Sequence, residues 1–199
     1  MSPSDVSERR RYYRIQDQIG LEYRVITADT APPLAAACFD GSATAGLQQE
    51  LRRADLEIRT RLNVLTESDR NLAHLLKLMN QKLDTAARIM TFQQKPLQDD
   101  QWLQVTLSEG GMAFHCPDVS WQPGELLALR MTLAPELNQV AVFAEVVEIE
   151  TGSKAQKPFM HLEFRHLEDD CRQQIARHVL QLQARMRQQQ QDNNENGTG

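Results

Sequence analysis

From Thr44 to Met90 the sequence runs without a proline, has Gly46 as its one glycine, and is rich in Leu, Arg, Gln, Glu and Ala. Such a stretch folds as helix, because straight-chain residues lose little rotamer freedom there. Its apolar residues are spaced for burial along one side. Leu51, Ile58 and Leu65 recur every seven residues. After "TESD", where Ser68 is the expected N-cap of a second helix, Leu72, Leu76, Met79, Leu83, Ala86 and Met90 keep an alternating four-three spacing. Two readings fit: an amphipathic pair folded against its own domain, or a coiled-coil or bundle seam between chains. So regular a seam favours the second. Leucine and methionine there do not fix the number of chains.

On either side the period changes to two. Ile19, Leu21, Tyr23 and Val25 alternate with Gly20, Glu22 and Arg24, and "TADTAPPL" ends that strand pattern. From Trp102 onward, "QWLQVTLSEGGMAFHC" reads as strand, glycine turn, strand. "ELLALRMTL", "QVAVFAEVVEIE" and "PFMHLEFRH" follow, parted by "APELN" and "TGSKAQK". With the first segment these make about six strands, spaced for a small antiparallel barrel. A last helix is expected, with Cys171, Ile175, Val179, Leu182 and Met186 on one face and acidic residues at its start. "QQQQDNNENGTG" has little to bury and is expected to be disordered.

The predicted class is therefore α+β: a six-stranded antiparallel barrel with an inserted long helix pair and a C-terminal helix. The expected divisions are a basic arm at 1–16, barrel segments at 17–40 and 96–190, an inserted oligomerisation segment at 41–95, and a tail at 191–199.

Composition narrows the function. No apolar stretch approaches the roughly 18–20 residues that span a bilayer, and the polar "MSPSDVSERRR" lacks a secretory apolar core, so a cytoplasmic protein without membrane insertion is expected. A net charge of -5 argues against long nucleic acids as partners. Cys38, Cys116 and Cys171 are scattered and read as packing thiols. His161 and His166 complete no metal set. No nucleophile–base pair or carboxylate pair suggests catalysis, and Glu145 and Glu148 read as solvent-facing strand residues. Trp102, Trp121, Phe114 and Phe164 read as core or rim aromatics.

Against that acidic background, Arg9, Arg10, Arg11 and Arg14 crowd together with Tyr12 and Tyr13 just ahead of the first strand. A solvated arm is one reading and an anion site is the other. Guanidinium forks bridge phosphate oxygens, grip the O6 and N7 acceptors of guanine, and stack on bases. Lysine does not do all three, and the cluster contains none.

"RRYYR", Arg10 to Arg14, fits RxxxR, and "TLSEGG", Thr106 to Gly111, nearly fits [DN]xSxxG. In this order and on these elements, they resemble the PilZ domain, a bacterial receptor module for cyclic di-GMP, over residues 8–26 and 101–187. The inserted helices, ending "LLKLMNQKLD", resemble the atypical tetrameric PilZ subgroup. The resemblance implies a homotetramer, joined through Leu51, Ile58, Leu65, Leu72, Leu76, Met79, Leu83, Ala86 and Met90. It implies a cyclic di-GMP receptor with no other cofactor and an effector protein downstream. The ligand would be held by Arg10, Arg14, Thr106, Ser108 and Gly111, with Arg9 and Arg11 beside them. Thr106 stands where the family has Asp or Asn. One hydroxyl does not replace a carboxylate accepting from two donors, a loss of about 1–3 kcal/mol. An oligomeric adaptor that has lost nucleotide binding is the alternative.

Overall fold

The computed structural model describes residues 13–26, 34–39, 42–116, 121–150 and 158–196. Six strands carry the period-two patterns: β1 (Ile15–Ile26), β2 (Trp102–Ser108), β3 (Gly111–His115), β4 (Leu126–Leu133), β5 (Asn138–Glu150) and β6 (Phe159–Arg165). They close into a barrel in the order β1-β2-β3-β6-β5-β4, every neighbouring pair antiparallel, with β4 returning to β1. Inward positions fill the interior. Phe114, Leu107, Leu129, Met131, Val140 and Met160 are all but inaccessible. α3 (Asp169–Asn196) packs on this core through Ile175 and Val179.

The first strand begins earlier than the alternation indicates. Ile15 pairs with Leu107 and Gln16 with Thr106, so the arm ends at Arg14 rather than at residue 16. The parity of Ile15, Ile19 and Leu21 turns Asp17 inward, which breaks the apolar pattern. His178 of α3 meets it, with Nε2 to Oδ2 at 2.6 Å and both side chains nearly buried. A buried carboxylate is tolerable when partnered, and here the partner lies at the far end of the chain.

α3 also departs from expectation at its end. Met186 is exposed, and the helix runs to Asn196, past the expected start of the tail. Glutamine, arginine and methionine sustain helix without burial. Cys116 is buried, Cys38 and Cys171 are half-buried, and all three are free thiols. Burial pushes the Cys171 thiol up, reinforced by Glu168 and Asp170, which suits a packing role.

Between β1 and β2 stand α1 (Ser42–Ser68) and α2 (Arg70–Gln94). One extended residue, Asp69, separates them and caps α2 by accepting from the backbone N–H groups of Asn71 and Leu72. The cap is therefore Asp69 and not Ser68, whose hydroxyl donates back to the Leu65 carbonyl and closes α1. A shorter-reaching hydroxyl one residue earlier serves the preceding helix. Phe92 lies edge-on to Trp102 at the base of α2. The seam residues find no cover within one chain. Leu51, Leu83 and Met90 are more than 60% exposed, Ile58, Leu72, Leu76, Met79 and Ala86 are also exposed, and Leu65 is half-buried. Packing of this seam on its own barrel is thereby excluded. No helix among the described residues is long and apolar enough to cross a membrane.

Candidate ligand site

The hairpin between β2 and β3 turns at Glu109 and Gly110. Gly111 then opens β3 hard against β6, where an added Cβ would collide with the Leu162 carbonyl oxygen. Glycine is required here by strand packing alone, before any ligand is considered. Ser108 is nearly buried and donates its hydroxyl to the Gly111 carbonyl at 3.1 Å. Thr106 faces outward on β2 and accepts from Gln16 Nε2 at 2.8 Å.

This bend forms one wall of a concavity of about 740 Å³. Arg14 enters it from the start of β1. Val147 and Glu148 of β5 and His161 and Glu163 of β6 form the opposite side, and Arg172 reaches it from the first turns of α3. Arg14, Thr106, Ser108 and Gly111 thus meet at one surface. Arg9, Arg10 and Arg11 lie outside the described residues. Charges in the concavity are mixed. Arg14 and Arg172 stand with Glu109, Glu148 and Glu163, and Glu163 is neutralised by Arg165 at 2.9 Å. Glu145 is not free in solvent, because Arg165 also grips it at 2.9 Å. Among the described residues no group of His, Cys, Asp or Glu could hold a metal ion.

Of the aromatic residues, Phe114 is core, and Trp121 is buried with Tyr23 edge-on at 4.5 Å between ring centroids. Phe164 is core and also borders the concavity. His161, Glu148 and Arg172 carry no local motif that would single them out in the sequence. Only strand register and the docking of α3 bring them to the bend.

A closed six-stranded barrel with a C-terminal helix packed on it, and a hairpin bend facing the start of β1, frames the concavity. Residues 90–181, which span the end of α2, β2 to β6 and the first half of α3, match the model of the PilZ domain, and β1 closes the barrel from ahead of the insertion.

Comparison with solved structures finds similar chains. A pathogenic protein from Xanthomonas campestris, described as a new tetrameric PilZ domain self-assembled via an unusual helical bundle, is similar over 88% of this chain and 90% of that one, at 16% identity and a TM-score of 0.52. The Bacillus subtilis inhibitor of motility MotI/DgrA is 26% identical over 44% of each chain, with a TM-score of 0.38. Escherichia coli YcgR in complex with c-di-GMP is 16% identical over 48% of this chain and 42% of that one, with a TM-score of 0.39. The chain spans less than half the length of the last two. No curated protein matches the sequence.

Proposed function

We propose that the protein is a cyclic di-GMP receptor in which the arginine arm closes over nucleotide held on the barrel. The observation that carries this reading is the meeting of Arg14 with the Ser108–Gly111 bend at one concavity, whose volume lies within the usual range for small-molecule sites. Arg14 and Arg172, with Glu109 beside them, leave less positive charge than a doubly charged ligand carries, so it needs the arm. Arg9, Arg10 and Arg11 supply that surplus by closing on the nucleotide through charge-assisted contacts. The changed surface would then be read by an effector protein in the cytoplasm. Arginine forks bind and orient, and no catalytic step is proposed.

The second reading, an adaptor without nucleotide, draws on a specific observation. Both motif hydroxyls already have partners: Thr106 with Gln16 and Ser108 with the Gly111 carbonyl. In either reading the exposed α1–α2 seam joins copies of this chain, and a tetramer is the assembly we favour from the likeness of fold. Titration calorimetry with cyclic di-GMP separates the two. The receptor reading expects saturable binding that Arg14→Ala weakens by about tenfold or more, the worth of a charge-assisted contact. Absence of heat at tens of micromolar wild-type protein would leave the adaptor.

A further inference from the structure

The concavity has a second polar end. Strand register sets Gln16, Thr106, Ala113, His161 and Glu148 side by side in one row across β1, β2, β3, β6 and β5. Alternation turns this row outward, since the flanking Ile15, Leu107, Met112, Phe114, Met160 and Leu162 belong to the core. Glu148 joins it only because β5 carries a bulge. The register shifts between Val146 and Glu148, so Val147 is the extra residue, Ile149 returns to the core, and Glu148 faces out.

The middle of the row is low. Ala113 is its smallest side chain, and Gly111 lies on the same strand. One end is the hydrogen-bonded pair of Gln16 and Thr106, next to Arg14. At the other end stand His161, held by Glu150 at 3.0 Å, and Glu148, which has no partner among the described residues. Three inter-strand spacings of about 4.8 Å part Thr106 from Glu148, roughly 14 Å along the sheet. That exceeds the screening length of about 8 Å at physiological salt, so this carboxylate is little felt by phosphates beside Arg14.

An unpaired carboxylate accepts two hydrogen bonds side by side. The Watson–Crick edge of guanine presents two adjacent donors, N1–H and the 2-amino group. Adenine presents one donor and the N1 lone pair, which a carboxylate repels. We propose that Glu148, flanked by His161, is the base-reading end of the site, selecting guanine over adenine and supplying the carboxylate that Thr106 does not. This rests on the receptor reading above.

Calorimetry with cyclic di-GMP and cyclic di-AMP tests it on wild type, Glu148→Gln and Arg14→Ala. Glutamine offers one acceptor and one donor, the complement of the adenine edge. Glu148→Gln should therefore weaken cyclic di-GMP binding about tenfold or more, and narrow or reverse the preference over cyclic di-AMP. Glu148 is exposed, so an unchanged melting temperature is expected and confirms the fold. Wild-type affinity and selectivity in Glu148→Gln, with binding lost in Arg14→Ala, would overturn the assignment of Glu148 and leave the receptor standing. Wild type failing to bind cyclic di-GMP would overturn both.

Discussion

The barrel and the helical insertion carry similar apolar residues and use them in opposite ways. In the barrel, alternation delivers every inward leucine, valine and methionine to one enclosed interior within a single chain. In α1 and α2 the heptad residues are displayed on the outside, and Ala73 is the only buried residue of α2. The first arrangement needs no partner, whereas the second leaves a long apolar stripe that water disfavours. Stability thus rests on the barrel, and the proposed assembly on the helices.

That separation can be broken by experiment. The largest effect is expected in the barrel. Leu129→Ala removes a side chain with no solvent exposure and should cost about 3 kcal/mol in chemical denaturation. A cost under about 1 kcal/mol would mean that the barrel is not the stabilising core. Next in size, Leu76→Asp with Leu83→Asp should weaken self-association about a hundredfold by light scattering while the barrel's unfolding midpoint stays put. If wild type is already a monomer at micromolar concentration, the seam between chains does not exist. The smallest effect sharpens the boundary between the two regions. Asp69→Ala removes the cap of α2 and should cost about 1 kcal/mol of helix stability, seen as faster amide exchange in the first turn of α2 with that of the strands unchanged.

What the sequence made legible follows from the range of the forces involved. The heptads of α2, the alternation from Ile19 to Tyr23 and the paired motifs at Arg14 and Ser108 are local patterns, and the structure places each on its expected element. Residues 15–18 were hidden because Asp17 occupies an inward position, and its compensation by His178 is a contact between β1 and α3. Glu148 reads as solvent-facing in the sequence and is exposed in the structure, but its place in the row across the concavity depends on a bulge, which no residue type announces in advance. Ser68 and Asp69 are adjacent and both good caps, so residue type alone does not choose between them. Arg172 and His161 reach the concavity only through tertiary docking.

The insertion leaves β1 and returns as β2, and these two strands are hydrogen-bonded neighbours with Gly20 opposite Trp102. β1 runs on past Gly20 to Ile26 along β4, so the detour departs from the far end of β1 and rejoins the barrel at Trp102. Because closure entropy rises only logarithmically with length, so long a detour costs the barrel about 3 kcal/mol more than a tight turn. A gene for this fold could gain or shed the whole helical limb as a cassette without re-threading a single strand.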